Sequence, residues 1–166
     1  AVYSSVSKEI HVLFAKLTPA IEPLSLDEAY LDVTDCSECN GSATLIAEKI
    51  RAEIYQELNL TASAGVAPNK FIAKIASDEN KPNGQCVVPP EQVSEFVKAL
   101  DLRKIPGVGP KTLDKLNAHG LFTCADVRAS EAGAMEKIMG KFGPVIFKRA
   151  FGIDNRDVET SRIRKS

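Results

Sequence analysis

Cysteine is scarce in this chain of 166 residues, with four in all, at positions 36, 39, 86 and 124. That is too few for a disulfide scaffold, so a reducing, cytoplasmic setting is expected. Cys36 and Cys39 have Cys-x-x-Cys spacing, but no second pair follows at a zinc-site distance, so this pair is read as incidental. The two histidines, His11 and His119, stand apart from each other and from any cluster of acids or thiols. With no histidine near Ser25, nucleophilic catalysis at that serine is excluded as well. No apolar run approaches the roughly 20 residues that span a bilayer, which excludes a helical membrane protein and a membrane partner. Residues 1–20 (AVYSSVSKEIHVLFAKLTPA) have neither the basic start nor the apolar core of a signal peptide, and no methionine opens the chain. The sequence therefore reads as a soluble piece of something longer.

What is present is ordinary for a globular protein: 44% hydrophobic and 26% charged residues, enough for one domain or two small ones. The formal net charge of -1 hides a division. Residues 1–100 carry 8 Lys and Arg against 14 Asp and Glu, a balance of -6, while residues 101–166 carry 13 against 8, a balance of +5. An acidic front half suits a metal ion and a basic back half suits phosphates.

Periodicity organises the front half. Val2, Val6, Ile10, Leu13, Phe14 and Leu17 recur at a helical spacing, and Pro19 and Pro23 end that helix. Ile21 to Thr34 (IEPLSLDEAYLDVT) breaks into two extended runs about Ser25–Asp27, which predicts a β-hairpin. Asn40 or Ser42 caps a second helix with Leu45, Ile46, Ile50, Ile54 and Leu58 as its buried stripe. Thr61 to Ala67 is a short strand, Pro68 opens a third helix, Lys81-Pro82-Asn83-Gly84 is a turn, and Gln85 to Val88 returns as a strand. The pattern α-β-β-α-β-α-β predicts an α+β fold, with helices on one face of a mixed sheet that contains the hairpin. After Pro89-Pro90 the sequence is almost wholly helical: 91–100, 111–119, 124–129, 131–139 and 144–151, with Gly120, Gly140 and Gly152 at expected helix stops. The charged tail, residues 155–166, reads as a linker.

Three constellations can carry chemistry. Asp27 and Glu28 are adjacent carboxylates at the mouth of the hairpin, where their mutual repulsion is offset by a hard divalent cation such as Mg²⁺. Asp32 lies about 13 Å further along the strand, too far to share an ion with Glu28. A two-metal site needs a bridging carboxylate, so this set is one ligand short. Ile105-Pro106-Gly107-Val108-Gly109-Pro110-Lys111-Thr112 matches a helix-hairpin-helix. Its glycines allow close backbone approach to phosphate, its second helix offers free N–H groups to an anion, and Lys111 and Lys115 add charge. Such a site binds DNA irrespective of sequence and weakens with salt. Lys81, fixed by its turn, is a candidate point charge for a triphosphate.

Together the segments SLDEAYLDVT (25–34), TASAGVAPNKFIAK (61–74), ASDENKPNG (76–84) and IPGVG (105–109) resemble the Y-family translesion DNA polymerases, most closely their bacterial DinB branch, over essentially the whole chain. The resemblance implies an incomplete palm over residues 1–88, a small all-α thumb with the helix-hairpin-helix over 89–154, and a linker over 155–166 toward an absent little-finger domain. It implies Mg²⁺ ligands at Asp27 and Glu28, two ions in the intact enzyme, and Lys81 on the triphosphate of an incoming deoxynucleotide. It further implies a grip on primer-template DNA by Gly107, Val108, Gly109, Lys111 and Thr112. The family's polymerases begin with a strand bearing the bridging aspartate, then the fingers, and they carry a sliding-clamp tail; none of these is in the sequence. The expected function is Mg-dependent nucleotidyl transfer in translesion synthesis and repair, with the fragment alone inactive. The rivals are a non-catalytic helix-hairpin-helix DNA-binding module and, more distantly, a nucleotide cyclase.

Overall fold

A computed structural model describes residues 2–160. These residues divide into two compact units, one of residues 2–66, 77–87 and 156–160, the other of 67–76 and 88–155. Among them no helix is long and apolar enough to cross a membrane.

In the first unit α1 (Val2–Ala15) lies against α2 (Ala43–Leu58). Ser42 caps α2 by accepting from the Leu45 N–H at 3.3 Å, and Asn59 ends it in the left-handed region at φ 53°. Leu13, Ile50 and Ile54 form the buried seam, with Ile10, Phe14, Leu17, Leu58 and Ala62 packed around it. Leu45, expected in the buried stripe of α2, is instead 49% exposed. It sits in the first turn, and the spacing Ile46, Ile50, Ile54 already fills the inward face.

Strands β1 (Ile21–Pro23) and β2 (Ala29–Leu31) form the expected antiparallel hairpin, in register Ile21 to Leu31 and Pro23 to Ala29. β3 (Ala64–Val66) and β4 (Gln85–Val87) form a parallel pair. The fold is α+β and its strands are mixed in direction, but the described strands make two separate pairs where one sheet was expected. Each strand is only three residues long, and no described strand bridges the pairs. Helix α3 (Lys70–Glu79) has residues in both units.

The second unit is helical: α4 (Val93–Lys98), α5 (Pro110–Ala118), α6 (Cys124–Arg128), α7 (Ala134–Met139) and α8 (Gly143–Ala150). Phe71, Ile72, Val97, Leu102, Ile105, Leu116, Val127 and Ile146 make its core. Gly120, Gly140 and Gly152 all have positive φ at helix ends, as the sequence predicts. Asp154, 6% exposed, accepts from the Phe71 N–H at 3.0 Å and pairs with Arg149 at 3.3 Å. It thereby neutralises a free donor at the start of α3. Of the expected linker, residues 161–166 lie outside the described residues. Within 156–160 the Glu159 N–H donates to the buried Glu22 carboxylate at 2.7 Å.

Candidate metal, nucleotide and DNA-contact sites

Strand pairing places the two hairpin acids. The Leu24 and Ser25 N–H groups both donate to the Glu28 carbonyl, at 2.8 and 3.2 Å, and this closes the loop 24–28 above the β1–β2 ladder. Asp27 is exposed at the tip of that loop, and Glu28 is half-buried where the strand resumes. The Ser25 hydroxyl donates to Asp27 Oδ1 at 2.7 Å, which orients one carboxylate oxygen and leaves the other for a ligand. Ser25 is thus an orienting group, a role that its exclusion as a nucleophile left open.

Asp32 is turned to a different task. Its Oδ1 accepts from the Thr34 hydroxyl at 2.6 Å and from the Thr34 N–H at 3.0 Å, and these bonds hold its carboxyl below the ordinary range. It closes the chain after β2.

Lys81 follows α3 in a turn that is fastened at several points. The Asn80 side-chain amide donates to the Gln85 carbonyl at 2.8 Å. Arg51, from α2, donates to the Ala62 carbonyl at 2.9 Å and reaches Gln85 Oε1 and Asn83 Oδ1, each at 3.3 Å. A Cβ at Gly84 would overlap the Asn80 backbone, so only glycine fits there. Lys81 Nζ lies 2.6 Å from Asp78 Oδ1. This bond, more than any other influence, raises the Lys81 ammonium above its ordinary value, and the charges of Glu28 and Asp27 add to it. The charges of the two hairpin acids are therefore felt at Lys81. Asp78 is a member of this group that the sequence did not single out, although it stands three residues before Lys81 in the quoted ASDENKPNG segment.

The donor set suits a hard divalent ion. Two adjacent carboxylates leave other coordination positions for water and phosphate, as Mg²⁺ requires. Among the described residues no three His, Cys, Asp or Glu are placed to hold one metal ion together, so Asp27 and Glu28 do not form a closed cage. Cys36 and Cys39 are half-buried free thiols beside a short helical turn. His11 packs edge-on against Phe14, and His119 Nδ1 contacts the Lys115 carbonyl at 2.8 Å.

In the second unit the turn 105–109 precedes α5 as expected. The Val108 N–H donates to the Ile105 carbonyl at 3.0 Å, and the Leu113 N–H to that of Gly109 at 2.9 Å. Ile105 and Val108 are buried, so Val108 anchors the turn. Gly107 has φ +91°, and a Cβ there would meet Phe142 Cζ at 3.0 Å. Gly109 has an ordinary φ of -84°, and a Cβ on it would meet nothing within 4 Å. Gly109 supplies no side-chain cap to α5, and Pro110 opens the helix. Gly109, Lys111 and Lys115 are exposed and Thr112 is half-buried, which leaves a backbone surface with positive charge beside it.

Three comparisons bear on these sites. The impB/mucB/samB family model matches residues 1–78, and the IMS family HHH motif matches residues 90–121. A DNA polymerase IV from Colwellia psychrerythraea is 64% identical over 99% of this chain and 47% of its own length. One from Serratia proteamaculans is 61% identical over the whole chain and 47% of its own. The chain thus spans about half the length of the curated relatives it matches. Among solved structures, DinB from Sulfolobus solfataricus superposes with a TM-score of 0.85 at 37% identity, covering 96% of this chain and 47% of that one. A Y-family DNA polymerase chimera superposes at 0.87, also at 37% identity, over 95% and 46%.

Proposed function

The chain belongs to the impB/mucB/samB family of Y-family DNA polymerases, and from that premise we propose that it supplies the catalytic hairpin and the DNA-gripping turn of a DNA-directed polymerase. In this reading residues 1–88 are part of a palm, 89–154 a thumb, and 155–166 a linker toward a further domain. The reaction is nucleotidyl transfer: a primer 3′-hydroxyl attacks the α-phosphorus of a deoxynucleoside triphosphate, an ester bond forms, and pyrophosphate leaves. The observation that carries it is that the charges of Glu28 and Asp27 act on Lys81, which lies 53 positions beyond Glu28 in the chain.

Each residue then has a physical task. Asp27, oriented by Ser25, and Glu28 hold divalent magnesium with their carboxylate oxygens. Magnesium held there would lower the pKa of the attacking hydroxyl and neutralise charge on the leaving oxygens. Lys81 places a fixed positive charge against the triphosphate, where it stabilises negative charge developing toward pyrophosphate. The exposed backbone at Gly107 and Gly109 and the first turn of α5, with Lys111 and Thr112, hold the phosphate backbone of primer-template DNA without reading bases. A full two-ion site needs a further carboxylate from elsewhere in the intact protein, so the 166-residue chain alone is expected to be inactive. Tolerance of damaged templates in translesion synthesis and repair, a cytoplasmic location, and attachment to a sliding clamp through regions outside this chain belong to the same proposal.

The test is Asp27→Ala in the full-length protein. Primer extension with Mg²⁺ is expected to vanish while primer-template binding persists. Unchanged turnover would remove Asp27 from the catalytic group.

A further inference from the structure

Asp78 ends up beside Lys81 for reasons of local geometry. It sits in the last turn of α3, three residues before the lysine, and the turn after it is tied down by Asn80, Arg51 and Gly84. The ion pair at 2.6 Å is therefore held between two ordered pieces of backbone, with both side chains half exposed. A triphosphate that uses Lys81 meets an ammonium already engaged by a carboxylate.

We propose that Asp78 is the resident counter-ion of Lys81, a positioning residue that holds the ammonium near the hairpin acids and yields it to an incoming nucleoside triphosphate. This rests on the nucleotide-binding reading of Lys81. The charges of Asp78, Glu28 and Asp27 all act on the Lys81 ammonium, and its contact at 2.6 Å is with Asp78. Pairing with Asp78 selects one direction. The exchange is feasible because a half-exposed ion pair is worth little net free energy, and phosphate oxygens carry more charge than a carboxylate. Asp78→Asn keeps an oxygen that can accept from Lys81 but removes the competing charge.

The experiment measures dATP affinity by calorimetric titration of the full-length protein, with Mg²⁺ and no primer, so that no turnover occurs. Lys81→Gln is expected to weaken binding. Asp78→Asn is expected to tighten it about five-fold, the scale of one screened charge at contact, and Asp78→Glu to stay near the starting affinity. In the Lys81→Gln background the gain from Asp78→Asn is expected to shrink to about two-fold or less, because the two residues act through each other. An equal gain in both backgrounds would mean that Asp78 acts only as a distant charge, and would overturn the proposal. So would no gain, or a loss, from Asp78→Asn alone. If Lys81→Gln leaves dATP affinity unchanged, the nucleotide reading itself falls and takes this one with it.

Discussion

The Ser25 hydroxyl donates to Asp27 Oδ1 at 2.7 Å, fixing the orientation of a carboxylate that stands exposed at the tip of a five-residue hairpin loop. A hydrogen bond to a metal-binding carboxylate restricts its rotation and so raises its affinity for the ion. Ser25→Ala should weaken Mn²⁺ or Mg²⁺ binding by the full-length protein about ten-fold. Its unfolding free energy should change by no more than about 0.5 kcal/mol, because both groups are exposed. Titration with Mn²⁺, read by water relaxation, checks the first number and urea unfolding the second.

The two turn glycines should separate folding from binding. Gly107→Ala forces a Cβ toward Phe142 at a φ of +91°, which should lower stability by about 1–2 kcal/mol. Gly109→Ala meets only open space among the described residues. Its unfolding midpoint should therefore hold while affinity for primer-template DNA falls, since the added methyl occupies the surface that a phosphate would approach. Parallel urea unfolding and DNA titration at fixed salt check both. Equal loss of DNA binding and stability in the two variants would assign the turn to packing alone.

At the start of α6, Thr123 and Asp126 form a reciprocal cap. Thr123 Oγ1 accepts from the Asp126 N–H at 3.3 Å, while the Asp126 carboxylate accepts from the Phe122 and Thr123 N–H groups at 2.8 and 3.0 Å. Those backbone bonds, Phe122's first, hold the Asp126 carboxyl below its ordinary value of 3.8. A lowered value in the folded state means the stabilisation is complete above the ordinary value and is lost as pH falls through the lowered one. Asp126→Asn should therefore be less stable than the parent at neutral pH, with the gap closing in strong acid. Thr123→Ala should cost about 1 kcal/mol. Urea unfolding across that pH range gives both results.

Asp154→Ala should be far more damaging. It removes the carboxylate that pairs with Arg149 and accepts from the Phe71 N–H inside the second unit, and loss of one member of a buried pair costs about 3 kcal/mol or more. A large drop in the urea midpoint is expected. A change within the range of surface substitutions would contradict the buried-pair assignment.

What could be read from the sequence was local. IEPLSLDEAYLDVT specified a hairpin, Gly120, Gly140 and Gly152 marked helix ends, and IPGVGPKT announced its turn, because each rests on backbone preferences within a few residues. Long-range partners were not legible. Asp154 reaches Phe71 across 83 positions and Arg51 reaches Asn83 across 32, and no periodicity encodes such pairs. Leu45 was misplaced because a leucine at the edge of an apolar stripe can face either way until a neighbouring element covers it. The strands were expected in one sheet because alternation of hydrophobicity predicts that a strand exists, not which strand it pairs with. Asp78 was hidden in plain view, since an acid three residues from a lysine is common and becomes informative only when the turn brings the two together.

The central claim is that Asp27, Glu28 and Lys81 meet a metal ion and a triphosphate at one place. A crystal structure of the full-length protein with a dideoxy-terminated primer-template, dATP and Mg²⁺ tests it directly. The expected result is oxygens of Asp27 and Glu28 on an ion at about 2.1 Å, with Lys81 Nζ transferred from Asp78 to a phosphate oxygen. An ion held elsewhere, or nucleotide bound with these three side chains uninvolved, would contradict it.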